Sequence, residues 1–353
     1  MMIIDIHGHY TTEPVELHTF RKRQIAGDVD LTSCPTLAEL CISDEVLMHS
    51  VEPQLKQQKA RGADLTLFSP RAAGMAHHVG TEAMSQQWAR LSNDIVQRVC
   101  ELMPMNFAPV AQLPQSPGVN PKNCIAEIKR VVDDLGFVGV NLNPDPSGGF
   151  WTDPPMTDAY WFPVYETLCE LDVPAMIHVS SSCNPNFHHT GAHYLNGDTT
   201  VFMQLLAGNL FERFPNLRFV IPHGGGAVPY HWGRYRGLAQ EMSKPLLAEH
   251  LLKNVFFDTC IYHLAGVELI AKVVPVENIL FASEMLGAVK GIDPETGHHY
   301  DDTKRYIDQL DRLDESSRAQ IFEGNARRVY PRLNTWLEKG KIPRAVTVTG
   351  RAQ

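Results

Sequence analysis

The sequence predicts an α/β fold of the (β/α)8, TIM-like barrel class in a single domain. Eight short apolar, β-branched runs recur along 353 residues, and stretches of helical periodicity lie between them. The length suits a barrel of about 250 residues enlarged by insertions. No Gly-x-Gly-x-x-Gly follows the first run, so the competing open, doubly wound sheet lacks its dinucleotide fingerprint.

The first strand is expected over residues 3–9, where Ile3, Ile4 and Ile6 lead into His7-Gly8-His9. The next runs, rich in Val, Ile, Leu and Phe, place strands at 65–70, 106–114, 137–144, 175–180, 217–225, 255–262 and 279–285. Such near-continuous apolar runs are what a parallel sheet covered on both faces requires. Helical patterns over 44–61, 82–102, 124–135, 158–171, 199–213 and 231–243 lie between them, and one over 302–322 follows the last. Two long segments, 10–42 and 181–198, leave the C-terminal ends of the first and fifth strands. Barrel enzymes carry their chemistry at that end, and loops this long are commonly functional. The barrel is expected over residues 1–333, with 334–353 a peripheral C-terminal segment.

A net charge of −9 argues against a nucleic-acid or membrane surface, which would need a basic field. It leaves room for a small anionic substrate held by a local arginine. The seven cysteines are scattered, odd in number and without a Cys-x-x-Cys pair, which points to free thiols in a reducing compartment. Without a basic, apolar leader or a long apolar run at the start, the cytoplasm is the expected location.

The chemistry gathers at strand ends. His7 and His9 stand two apart on a strand, so both side chains leave the same face, and paired imidazoles suit a divalent ion. His178 ends the run Pro174-Ala175-Met176-Ile177, His223 ends Phe219-Val220-Ile221-Pro222, and Glu284 ends Ile279-Leu280-Phe281-Ala282-Ser283. Each follows a buried strand and precedes a loop, so all five converge on one barrel mouth.

That constellation resembles the amidohydrolase superfamily, which carries His-x-His on strand one and His, His and an acid on strands five, six and eight. The stretches IIDIHGHY (3–10), FSPRAAGMAHH (68–78), IHVSSSCNP (177–185), PHGGG (222–226), FASEMLGAV (281–289) and YDDTKRY (300–306) carry it further. They are similar to the aminocarboxymuconate semialdehyde decarboxylase branch and, within it, to the 4-oxalomesaconate hydratases of protocatechuate 4,5-cleavage. The resemblance implies one Zn²⁺ per chain, with His7, His9, His178 and Glu284 as ligands. The same donors accept Mn²⁺ or Co²⁺. Most members place Asp on strand eight. Glu284 is longer by a methylene, which leaves it open as ligand or as acid/base beside the water. Strand four offers Asn141 and Asn143 and no Lys to bridge two metals.

The implied reaction is conjugate addition of water to an unsaturated keto tricarboxylate, giving 4-carboxy-4-hydroxy-2-oxoadipate. His223 or Glu284 handles the water's proton, and either of them or Tyr194 supplies the proton to carbon. Arg71, at the end of strand two, and Arg234 are the expected carboxylate forks, with Asn141 and Tyr194 as neutral donors. Lys290 and Lys304 read as surface charges, and most of the pairs His77-His78, His188-His189 and His298-His299 as loop or surface histidines. Other outcomes on this scaffold are a non-oxidative decarboxylase, a lactonase for a pyrone dicarboxylate, and a non-catalytic metal-binding barrel. A homodimer is compatible with the resemblance, and no residue marks an interface.

Overall fold

In a computed structural model, which describes residues 1–340, eight strands form one sheet whose neighbours follow chain order. They are β1 (Ile4–Tyr10), β2 (Leu65–Pro70), β3 (Phe107–Gln112), β4 (Gly139–Leu142), β5 (Ala175–Ile177), β6 (Phe219–Ile221), β7 (Val255–Asp258) and β8 (Ile279–Leu280). Every adjacent pair is parallel. Two backbone hydrogen bonds tie the last strand region to the first: Ile6 N–H to the Phe281 carbonyl at 3.0 Å and Glu284 N–H to His7 at 2.9 Å. The chain is therefore the (β/α)8 barrel that its alternation predicts.

Strand periodicity sorts side chains between two cores. Ile4, Ile6, Leu65, Leu67, Ala108, Val110, Met176, Val220, Phe256 and Leu280 fill the barrel interior. Their neighbours Phe68, Phe107, Ala111, Val140, Ile177 and Phe257 face the surrounding helices. Ala326, Val329, Tyr330, Leu333 and Leu337 join the interior cluster from helices Asn325–Val329 and Arg332–Gly340 and the turn between them. A Cβ on Gly139, the first residue of β4, would meet the Tyr330 ring at 2.8 Å, so these helices plug the end where strands begin. The opposite, C-terminal end is left for chemistry. Residues 334–340 of the expected peripheral segment belong to this plug, where the Trp336 indole N–H donates to the Pro104 and Phe107 carbonyls at 3.2 and 3.0 Å. The remainder of that segment, 341–353, lies outside the described residues.

Six strands stop sooner than their apolar runs suggest, β3 and β4 at Gln112 and Leu142. β5, β6 and β8 end at Ile177, Ile221 and Leu280, and β7 ends at Asp258. The polar residues that follow turn inward, and His223 and Glu284 do so in left-handed backbone, each with φ of 51°. That conformation costs a non-glycine residue about 1–2 kcal/mol and is held here by its surroundings. The expected helix over 302–322 is interrupted, with Lys304–Asp308 and Glu315–Ala319 as separate helices. Asp314 caps the second by accepting from Ser317 N–H at 2.8 Å. The segment after β1 is not all loop, because it holds helix Val15–Ala26.

Gly8 makes room for β2. A Cβ there would sit 2.2 Å from Thr66 Cγ2 and 3.1 Å from the Leu67 carbonyl oxygen. Gly8→Ala is therefore expected to cost about 1–3 kcal/mol by overpacking, read as a lower urea midpoint at unchanged slope.

Candidate active site

At the C-terminal mouth, β1 and the residue after β5 bring three imidazoles together. Nε2 of His7 and His9 are 3.0 Å apart, and Nε2 of His178 is 3.2 Å from each. The three side chains are almost fully enclosed, with His7, His9 and His178 exposed by 1, 3 and 2%. Their other ring nitrogens fix the tautomers. His178 Nδ1–H donates to the Val179 carbonyl at 2.7 Å, and His7 Nδ1–H to the Asp258 carboxylate at 2.8 Å. Ser69 Oγ stands 2.7 Å from His9 Nδ1. It also has the Gly8 and Pro70 carbonyls to donate to, so it accepts from His9. Each Nε2 therefore presents a lone pair, and three lone pairs face one another in a buried pocket. Such a set repels itself unless a cation sits between them. Three imidazoles about 2.0–2.1 Å from one ion would place their nitrogens about 3.0–3.4 Å apart. The donor set thus fits a single divalent metal, and its hydrogen-bonded outer partners are of the kind that orient metal-binding histidines.

Glu284 and His223 complete the wall. Ligand atoms of His7, His178, His223 and Glu284 all lie within 4.8 Å of one another. Glu284 Oε2 accepts from the Tyr262 hydroxyl at 2.8 Å and is 4.0 Å from His223 Nε2. His223 Nδ1 is 2.9 Å from the Asp198 carboxylate, while its buried Nε2 has no hydrogen-bond partner. Asp258 secures two elements at once, since its second oxygen accepts from the Gly224 and Cys260 N–H groups at 2.9 and 3.0 Å. The loop that carries Glu284 is anchored by Asp301, which accepts from Leu286 N–H at 2.8 Å and pairs with Arg61 at 2.7 Å. Thr303 Oγ1 donates to the Ala282 carbonyl at 2.6 Å, which gives the Asp302-Thr303-Lys304 stretch a structural role.

Burial sets the electrostatics. It pushes the pKa of His9 and His178 well below the ordinary value, helped by the neighbouring imidazoles, so both are neutral, the form a metal needs. For His223 burial also pulls downward, but the charge and hydrogen bond of Asp198, with Glu284 and Asp258, outweigh it and raise the pKa to about 9. Asp198 itself is raised to about 6 by burial, against the pull of His223. In the metal-free protein the His223 contribution to stability is full below pH 6.5, its ordinary pKa, and is lost as pH rises through about 9. Chelator-treated protein is accordingly expected to show a lower urea midpoint at pH 9.5 than at pH 6.5.

The remaining residues singled out in the sequence fall into different places. Tyr194 opens helix Tyr194–Ala207, with its ring 5.1 Å from His178 and 5.5 Å from His223. Burial and the charge of Glu284 raise its pKa while the charge of Arg71 opposes them. Arg71 directly follows β2 and is exposed, and Glu13 is buried beside it. Burial raises the Glu13 pKa to about 8 despite the Arg71 charge. Asn141 is buried, and its amide donates to Ser69 Oγ at 3.1 Å, so it braces the partner of His9. Arg234 is exposed on helix Trp232–Glu241, and among the described residues no hydrogen bond or ion pair joins it to the cluster. Lys304 pairs with Asp308 at 2.7 Å. His77 departs from the surface reading: it is buried, donating to the Leu113 carbonyl at 3.1 Å and accepting from the Asn143 amide at 2.9 Å. The structure adds Asp198, Asp258 and Tyr262 to the site through their bonds to His223, His7 and Glu284. Asp258 ends the apolar run of strand seven and carried the same strand-end signal as His178, whereas Asp198 and Tyr262 carried none.

The family model described as amidohydrolase matches residues 4–332. The chain is 56% identical over 339 residues to the 2-keto-4-carboxy-3-hexenedioate hydratase of Sphingobium sp. (strain NBRC 103272 / SYK-6), covering 96% of this chain and 98% of that protein. It superposes on the crystal structure of 4-oxalomesaconate hydratase from Rhodopseudomonas palustris with a TM-score of 0.88 and 59% identity, over 96% of this chain and 99% of that one. A dihydroxybenzoic acid decarboxylase from Polaromonas sp. JS666, solved with bound manganese, shares the fold at a TM-score of 0.67 and 19% identity, over 94 and 97% of the two chains.

Proposed function

Since this chain belongs to the amidohydrolase family, and is similar over nearly its whole length to hydratases of one keto tricarboxylate, we propose that it is a hydro-lyase for that acid. The reaction adds water across the double bond of 4-oxalomesaconate, also named 2-keto-4-carboxy-3-hexenedioate, in the breakdown of aromatic acids. The second name puts the double bond beside the ketone, as conjugate addition requires. The carrying observation is the 56 and 59% identity to hydratases, against fold likeness alone to the decarboxylase at 19%.

His7, His9, His178 and Glu284 would hold the metal, with Zn²⁺ the proposed ion and Mn²⁺ or Co²⁺ chemically compatible. When bound, the ion supplies Lewis acidity that brings a water's pKa towards about 7. His223 in its neutral form, which the positive charge of a bound ion would favour over the protonated form of the metal-free protein, takes the proton at Nε2 as the water oxygen bonds to the carbon bearing the carboxylate. Asp198, on Nδ1, holds the ring in the tautomer that leaves Nε2 open. The displaced π electrons move onto the ketone oxygen, and a proton delivered to the carbon beside the ketone returns them. Tyr194, whose ring lies beside those of His178 and His223, delivers that proton, or Glu284 does so where it is not a ligand. Arg71, at the mouth, holds a terminal carboxylate.

The direct test follows the loss of conjugated ultraviolet absorbance on mixing the protein with the freshly made keto acid. A product heavier by one water is expected. Release of carbon dioxide instead would identify a decarboxylase and reject the hydratase. Arg71→Ala is expected to raise KM about 10–100-fold, the worth of a charge-assisted hydrogen bond, with a smaller change in kcat.

A further inference from the structure

The carboxylate that would join the three imidazoles is not left free to choose its orientation. We infer that Tyr262 is a positioning residue for the metal: it occupies one oxygen of Glu284 and so presents the other to the ion. Three observations carry this. The Tyr262 hydroxyl donates to Glu284 Oε2 at 2.8 Å, and Cys260 Sγ, 3.6 Å from the same oxygen, adds a weaker donor. That oxygen is also the one 4.0 Å from His223 Nε2, so the polar neighbours of the carboxylate crowd the same oxygen. Finally, Tyr262 is itself fixed, because its carbonyl accepts from the Tyr306 hydroxyl at 3.3 Å and Glu284 is pinned through its backbone N–H to His7.

A carboxylate with both oxygens free can turn between one-oxygen and two-oxygen coordination or swing out of the site. One strong hydrogen bond to a single oxygen removes that freedom before the metal arrives, as outer partners do for histidine ligands. The inference rests on the proposed metal site and is independent of the proposed reaction.

Its test is a double-mutant cycle on Zn²⁺ affinity, measured by competition with a colorimetric chelator on the metal-stripped full chain. Tyr262→Phe keeps the ring and removes only the donor. It is expected to weaken Zn²⁺ binding about 10–100-fold, the range typical for lost outer partners. In a Glu284→Ala background the same change is expected to cost less than about twofold, because the group it positions is gone. Equal losses in both backgrounds would overturn the inference and assign Tyr262 a general structural role, and so would unchanged affinity in Tyr262→Phe. A fall in kcat with unaltered Zn²⁺ affinity would overturn it in favour of a proton-transfer role. Failure of the unsubstituted chain to bind Zn²⁺, Mn²⁺ or Co²⁺ would reject the metal site itself. Thermal melts of the stripped variants report whether each still folds.

Discussion

His223→Asn is expected to lower kcat by about 10²–10⁴-fold, the usual contribution of a positioned acid or base, while the metal content stays at that of the unsubstituted protein. The expectation follows from the separation of roles in the site. The three Nε2 atoms in closest mutual contact belong to His7, His9 and His178, whereas His223 Nε2 makes no hydrogen bond and lies 4.0 Å from Glu284, within 4.8 Å of ligand atoms of His7 and His178. Asparagine keeps a polar side chain near Asp198 and so limits the cost of leaving that buried carboxylate unpaired. Steady-state kinetics with the keto acid, together with elemental analysis, separates the two readings. Loss of metal and activity together would make His223 a ligand, and full activity would remove it from the mechanism.

The larger effect belongs to the metal. Exhaustive chelation is expected to reduce hydration to the uncatalysed background, and stoichiometric Zn²⁺, or Mn²⁺ or Co²⁺, to restore it. His9 and His178 are held neutral by burial and neighbouring imidazoles, so they bring no positive charge of their own to a developing enolate. Without an ion the pocket has three lone pairs and an acid where the reaction needs an electrophile. His178→Ala is expected to mimic chelation, because one of the three convergent nitrogens is removed, and added metal should rescue it only in large excess. Activity that survived both treatments would sink the metal-dependent mechanism.

How much of this was legible without the tertiary structure follows the range of the interactions. His7 and His9 are two residues apart on a strand, and His178, His223 and Glu284 each close an apolar run. Local periodicity places all five at strand ends, and barrel geometry brings those ends together. The partners that tune them come from elsewhere in the chain. Asp258 reaches His7 across 251 residues, and Tyr262 reaches Glu284 across 22 residues by way of two different strand ends. Asn141 is expected as a substrate donor because it stands on strand four, and the structure adds a local role, its amide donating to Ser69 on β2. His77 looked like a loop histidine because it adjoins another histidine, yet the loops after β3 and β4 close over it.

The sequence by itself determined the eight strands, their parallel alternation with helices, and the identities of the imidazoles and the acid at the mouth. Those depend on residue types and spacings of two to about four positions, which a single segment carries. Only the closed barrel decided which ring nitrogen of each histidine is free, which oxygen of Glu284 is occupied, and where the strands yield to inward turns. Those are set by contacts between residues that meet solely because the first strand region hydrogen-bonds to the last.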